Sequence, residues 1–164
     1  MAANDMEQRT EKQLVIFTLA SEEFGVEINQ VREIIKPRDM TRLPHTPPYI
    51  KGVINLRGEI IPVIDLRKRF SVDSGEMNRD TRIIIVEMDE NRAGLLVDAV
   101  TEVLRLASTD IEATPRSIAG LQADFIQGVG KMEDRLLILL DVKKILSSEE
   151  EIQLQAQVEQ LKEA

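Results

Sequence analysis

One stretch of this chain occurs twice. Residues 49–70 read Y-I-K-G-V-I-N-L-R-G-E-I-I-P-V-I-D-L-R-K-R-F, and residues 125–146 read F-I-Q-G-V-G-K-M-E-D-R-L-L-I-L-L-D-V-K-K-I-L. Set side by side without a gap, Gly52 meets Gly128 and Asp65 meets Asp141. In the first copy two β-branched runs flank Asn55-Leu56-Arg57-Gly58. Asn and Gly tolerate positive φ, so the flanks read as paired strands of a hairpin with Arg57 at or beside its tip. The second copy departs from this turn and reads Gly130-Lys131-Met132-Glu133.

The likeness extends upstream. Residues 14–20 and 82–88 read as strands, followed by turns at 21–23 and 89–91 and by second strands at 24–28 and 93–97. Residues 29–35 mix helical spacing with Val and Ile content, which predicts one short turn running into a strand. Residues 98–104 answer them, with Val100, Glu102 and Val103 in the places of Val31, Glu33 and Ile34. Thr46-Pro47, read as the N-cap and first residue of a very short helix, is answered by Thr114-Pro115. The second copy then carries an inserted loop around 117–124. Residues 66–70 are expected to form a short helix, and 71–80 a connector.

Five short strands per copy with tight turns predict an all-β fold: two small five-stranded barrels from an internal duplication, with short helices. The expected division is a disordered lead-in at 1–12, a first barrel at 13–78, a second at 79–146 and a C-terminal helix at 147–164. That helix is capped by Ser147 or Ser148 and carries a narrow apolar stripe of Leu154, Val158 and Leu161. Copies this small have marginal cores, so the two should pack on each other. Ile60-Ile61-Pro62-Val63-Ile64 is apolar on both faces, and Pro62 forbids a central hydrogen bond, so this strand is expected at an edge or bulge. Its outer face packs on the sister barrel or receives another protein.

Chemistry is sparse. The chain has no cysteine, which removes disulfides, thiolate catalysis and Cys-based metal sites. One histidine, His45, sits between prolines without a paired nucleophile. Gly128-Val129-Gly130-Lys131 lacks the helix start a phosphate loop needs, and Asp89-x-Asn91 lacks the rest of a calcium loop. No catalytic residue, metal site or cofactor is indicated. A net charge of −8 with dispersed basic residues disfavours nucleic acid. The longest apolar run is the five residues 136–140, so no membrane-spanning stretch is read, and the N-terminus lacks a signal-peptide core; a cytoplasmic protein is the simple reading.

Three stretches in series carry a family resemblance: F-G-V-E-I-N-Q-V-R-E-I at 24–34, T-P-P-Y-I-K-G-V-I-N-L-R-G-E-I-I-P-V-I-D-L-R at 46–67, and the closing strand and helix at 135–146. The chain resembles, over about 13–152, the CheW family of chemotaxis coupling (adaptor) proteins. The resemblance implies two SH3-like five-stranded barrels without catalytic activity. It implies a bacterial scaffold that couples chemoreceptor (methyl-accepting) signalling tips to the regulatory domain of the chemotaxis histidine kinase, recruited to membrane-associated arrays without inserting into the bilayer. It places receptor contact in the groove between the barrels, at Val31, Glu33, Ile34 and the Asn55, Leu56, Arg57, Gly58 turn. A Glu33–Arg57 pair is expected to hold that turn. Arg82, Gly94, Val103 and Gly128 are weaker candidates for receptor or kinase contact, the glycines because they could serve the fold alone. The chain is too short for the receiver domain that related adaptors carry. Rival readings are an isolated regulatory domain of a chemotaxis kinase, a small-ligand-binding barrel and an RNA-binding SH3-like module.

Overall fold

The computed structural model describes residues 10–72, 76–113 and 125–146. The first half contributes β1 (Glu11–Leu19), β2 (Glu22–Glu27), β3 (Val31–Ile35), β4 (Ile50–Leu56), β5 (Glu59–Asp65) and the one-turn helix α1 (Leu66–Arg69). The second contributes β6 (Arg82–Met88), β7 (Asn91–Val97), β8 (Ala99–Ala107), β9 (Ile111–Glu112), β10 (Ile126–Met132), β11 (Arg135–Leu140) and α2 (Val142–Leu146). Asp65 caps α1 by accepting from the Arg67 and Lys68 amides. Short 3-10 turns at Ile28–Gln30 and Ser108–Asp110 precede β3 and β9. The first is the predicted turn running into a strand.

The strands form two barrel-like sheets, ordered β8-β1-β2-β11-β10-β9 and β3-β6-β7-β5-β4. The boundary expected between 78 and 79 is therefore not the boundary between sheets. Each sheet takes two strands, β1–β2 or β6–β7, from one repeat and the rest from the other. The chain leaves one sheet for the other after β2, through the 3-10 turn Ile28–Gln30, and after β7, at Asp98, so each third strand pairs with the opposite repeat. The lead-in also ends earlier than expected, since β1 starts at Glu11.

The duplication is visible in the pairing itself. A bulge interrupts β1–β8 where Phe17 faces Val100 and Ile16 faces Glu102, and the same bulge interrupts β3–β6 where Val31 faces Val86 and Glu33 faces Ile85. Parallel pairs join β5 to β7 at Val63↔Gly94 and β11 to β2 at Leu139↔Gly25. Gly52 and Gly128 are each wedged against a neighbouring backbone: an ideal Cβ would lie 2.7 Å from the Thr41 carbonyl oxygen in one case and 2.7 Å from that of Glu112 in the other. The bridge Thr41↔Val53 is thus the first-half counterpart of Glu112↔Val129. This last pairing gives the six-stranded sheet its extra short strand.

Three apolar clusters fill the molecule. Ile54, Leu56, Ile61, Val63, Ile83, Ile85 and Leu96 fill the five-stranded sheet, and Leu14, Ile16, Leu106, Leu137 and Leu139 fill the six-stranded one. The largest joins them, combining Val15, Phe17, Phe24 and Val26 with Ile64, Ile84, Val86 and Leu95. At about 1.5–3 kcal/mol per buried aliphatic side chain, this shared core binds the two sheets into one unit. The chain's five aromatic residues gather there. Phe17, Phe24, Phe70 and Phe125 follow one another at centroid spacings of 5.8, 5.9 and 6.3 Å, and the Arg69 guanidinium lies 4.5 Å from the Tyr49 ring and 4.3 Å from that of Phe125.

Two local expectations need correcting. β5 is not an edge but a central strand, between β4 and β7, although a bulge interrupts its pairing with β4 just after Pro62, where Val63 and Ile64 face Gly52 and Ile50. Its proline is tolerated because Pro62 faces Val53 and precedes by one residue the first parallel pair, at Val63. Its two apolar faces are used internally, Ile61 and Val63 in one cluster and Ile64 in another, so no partner surface is left there. Thr46 caps no helix: its hydroxyl donates to the Leu43 carbonyl at 3.0 Å, and Ile50 N–H closes a turn on the Pro47 carbonyl at 3.0 Å. Thr114-Pro115, the loop at 117–124, the lead-in at 1–9 and the helix read at 147–164 lie outside the described residues. Among those described, no helix is long and apolar enough to cross a membrane.

Candidate functional site

Glu59 faces Leu56 across the β4–β5 hairpin, leaving Arg57 and Gly58 as a two-residue turn. Both sit at positive φ, 52° and 86°, as the twist-matched hairpin turns require. The Asn55 side-chain oxygen accepts the Gly58 N–H at 2.8 Å, and its carbonyl accepts from Arg38 Nη1 at 2.9 Å. Leu56 anchors the turn from beneath, 5% exposed within the apolar cluster. The tip is therefore rigid, and it lifts Arg57 into solvent, with its side chain 68% exposed.

β3 and β4 are the two edges of the five-stranded sheet, and Arg57 spans them. Its guanidinium donates to both Glu33 oxygens, with Nη1–Oε1 at 3.3 Å and a closer Nη2–Oε2 contact. The expected pair is present. The Arg57 hydrogen bonds hold the Glu33 carboxyl below its ordinary value, and Glu33 in turn raises Arg57.

Four further charges complete the rim and were not singled out from sequence. The bulge that skips Arg32 lets its Nη1 donate to Glu87 at 2.7 Å. Arg92 on β7 bridges Glu59 on β5 and Glu87 on β6. Arg32 first, then Arg92, keeps the Glu87 carboxyl depressed. Arg32, Arg57 and Arg92 with Glu33 and Glu59 surround a hollow of about 150 Å³ that Leu56, Ile61 and Ile85 also line, and Glu87 links Arg32 to Arg92. The sequence signal for these four was only their place at the ends of strands.

Expected contact residues fall into three groups. Glu33, Asn55, Arg57 and Gly58 come together at this rim with Leu56 below, and Ile34 lies alongside on β3, 40% exposed. Val31 instead packs against the shared core. The hollow is lined by the five-stranded sheet alone, not by the groove between the barrels. Among the weaker candidates, Val103 is 52% exposed on β8, and Arg82 Nη1 donates to the Arg79 and Thr81 carbonyls at 2.8 and 2.7 Å. Gly94 and Gly128 are buried, with steric reasons of their own: a Cβ on Gly94 would meet Ile83 Cγ2 at 2.7 Å. The turn matching Asn55–Gly58 also needs correcting by one residue. Met132 faces Arg135, so the second tip is Glu133-Asp134 and its tetrapeptide runs from Lys131 to Asp134.

This rim cannot carry out acid–base or nucleophilic chemistry as it stands. Each of its carboxylates is salt-bridged to arginine, and among the described residues no histidine or hydroxyl nucleophile lines the hollow. His45 occupies a separate turn at φ 62°. Among the described residues, no three His, Cys, Asp or Glu side chains gather to hold a metal. Ile61, Val63, Ile83 and Ile85, at 0–1% exposure, fill the interior of the five-stranded sheet with side chains. What the rim does offer is an ordered, outward-held arginine, a feature suited to protein contact, while Ile34, 40% exposed, lies on the other face of β3 from Glu33.

The CheW-like domain model matches residues 13–150. The chemotaxis protein CheW of Klebsiella aerogenes is 40% identical over 139 residues, covering 85% of this chain and 84% of that protein. Its counterpart in Helicobacter pylori is 37% identical over 137 residues, covering 84% and 82%. The crystal structure of the scaffolding protein TtCheW from Thermoanaerobacter tengcongensis superposes with a TM-score of 0.79 at 40% identity, covering 86% of this chain and 91% of that one. Motif series, duplicated barrels and whole-domain similarity agree: this chain belongs to the CheW-like family of chemotaxis scaffold (adaptor) proteins.

Proposed function

We propose that this scaffold couples the cytoplasmic tips of chemoreceptors to the regulatory domain of the chemotaxis histidine kinase, and that the Arg57 rim is its receptor-docking surface. The observation that carries this reading is the construction of the tip. A left-handed two-residue turn, an Asn55 side-chain bond, a buried Leu56 and a bidentate Glu33 clamp together hold one arginine outward. Nothing in the core uses that guanidinium. Glu33, Ile34, Asn55 and Arg57 meet the receptor, Leu56 and Gly58 shape the turn, and Val31 sets the base of β3. Exposed Val103 and half-buried Arg82 serve receptor or kinase contact, whereas Gly94 and Gly128 serve the fold. The protein acts in the cytoplasm and reaches the membrane only through the receptor arrays.

The test is co-sedimentation of the chain with receptor signalling tips and, separately, with kinase. Arg57→Glu places a third acid beside Glu33 and Glu59, and it should leave the circular dichroism spectrum unchanged and lower the melting temperature only slightly, as loss of an exposed pair does, while receptor binding falls at least tenfold. If the folded variant binds both partners like wild type, the assignment of Arg57 fails. Glu33→Arg should impair binding as well, and the double variant E33R/R57E should recover part of the loss by restoring the pair with reversed sign. No recovery in the double variant would mean that the clamp does not matter to binding.

A further inference from the structure

The strand-exchanged architecture has a close competitor. Since the repeats share strand order, bulges and glycine positions, each could close on itself, with β2 rather than β7 lying parallel to β5, and β7 rather than β2 lying parallel to β11. Packing discriminates weakly, because both alternatives offer aliphatic strands of matching register. Charge discriminates well. Measured from the equivalent parallel pairs Leu139↔Gly25 and Val63↔Gly94, Glu23 and Arg92 occupy the same place in their strands, two residues before the glycine. Arg135 and Glu59 likewise occupy the same place, each opening its strand after the hairpin turn. In the observed fold both pairs are attractive: Arg135 Nε and Nη2 donate to Glu23 at 3.1 and 2.7 Å, and Arg92 is salt-bridged to Glu59. The polarity is opposite in the two sheets. In a self-closed first repeat Glu23 would face Glu59; in a self-closed second repeat Arg92 would face Arg135.

We infer that this reversed polarity is a pairing code that selects the strand-exchanged scaffold over the arrangement in which each repeat closes alone. Glu87 and Glu102 belong to the same repeat as the arginines they touch, at 3.3 and 3.0 Å, and accompany them in either arrangement. Of the cross-repeat pairs, which also include Arg32–Glu87 and Arg67–Asp98, only Glu23–Arg135 and Arg92–Glu59 would be replaced by like charges, so the code rests on these two and is sharpest in the first repeat, where two carboxylates would meet. The side chains of all four residues are about one-third exposed, so the code is read at low ionic strength and fades once the Debye length shrinks to a few ångström.

The four positions allow a test at constant net charge, in the full chain. E23R/R92E makes both native pairs repulsive and both self-closed pairs attractive. E23R/R135E keeps one native pair with reversed sign and leaves the other alone. Amide cross-peaks from Val63 to Gly94 and from Leu139 to Gly25 report exchange, whereas Val63 to Gly25 and Leu139 to Gly94 report self-closure. E23R/R135E should show the exchanged cross-peaks and refold at the wild-type rate. E23R/R92E should show self-closed cross-peaks, or refold at least tenfold slower in dilute buffer and recover in 1 M NaCl. Should it fail to fold, the fourfold inversion E23R/E59R/R92E/R135E, which makes both native pairs attractive again, should rescue the exchanged fold. The inference is overturned if E23R/R92E refolds to the exchanged form as fast as E23R/R135E in dilute buffer, or if the fourfold inversion fails to rescue a variant that does not fold.

Discussion

Gly128→Ala separates residues that build the scaffold from residues that dock on it. An alanine Cβ here would lie 2.7 Å from the Glu112 carbonyl oxygen and 3.1 Å from Ile111 Cγ2. The first contact is shorter than real Cβ atoms tolerate, and it is to backbone, so a rotamer change cannot relieve it. β9 must move away from β10, against the Val129↔Glu112 and Gly130↔Ile111 pairs, the Lys131–Glu112 salt bridge and the packing of Ile111. Overpacking of this kind costs about 1–3 kcal/mol. With a urea slope of about 2 kcal/mol/M, the unfolding midpoint should fall by roughly 0.5–1.5 M with the slope unchanged. Gly52→Ala, with the same 2.7 Å approach to Thr41, should behave alike. Receptor and kinase binding, measured in buffer where the variant is folded, should match wild type. The reasoning is refuted if the midpoint holds within experimental error while binding to either partner is lost, because the glycine would then be a contact and not a spacer.

Two more predictions concern the rim and the shared core. Glu23, Glu33 and Glu87 are held below their ordinary value of 4.5 by Arg135, Arg57 and Arg32 respectively. The unfolded chain therefore binds protons first on acidification. Their contribution is whole above pH 4.5 and is lost as pH falls through the lower folded values, so melting temperature should decline only below that point, and less steeply in Arg57→Gln. A melting temperature that rises on acidification from pH 5 to 3 would contradict these pairings. Ile64, at 0% exposure in the cluster joining the sheets, should cost about 2–5 kcal/mol when cut to alanine, with one cooperative transition retained; two separate transitions would show that the sheets fold independently.

The sequence showed much of this fold because its signals were local. Asn-Leu-Arg-Gly between β-branched runs specified the hairpin and its tip, and the 3-10 turn before β3 followed from mixed spacing in residues 28–35. The division into barrels was not legible, because nothing local tells a strand whether to pair with its own repeat or with the other. That choice rests on long-range terms, among them the Glu23–Arg135 and Arg92–Glu59 pairs. Pro62 misled for a similar reason: its missing donor points to a gap one residue before β7 pairing starts, a detail of register. At the site, Glu33 and Arg57 were found through the motif. Arg32, Glu59, Glu87 and Arg92 were not, since charges at strand ends resemble any solvated rim until the barrel closes.

The central claim is that this chain makes receptor and kinase one functional unit through the Arg57 rim. Kinase autophosphorylation, measured with receptor-bearing membranes in the presence and absence of the chain, tests it most directly. The expected result is a large rise in receptor-controlled activity on adding the wild-type chain, and none on adding folded Arg57→Glu at the same concentration. Equal activity with and without the chain would contradict the coupling role; equal activity with wild type and Arg57→Glu would contradict the place assigned to it.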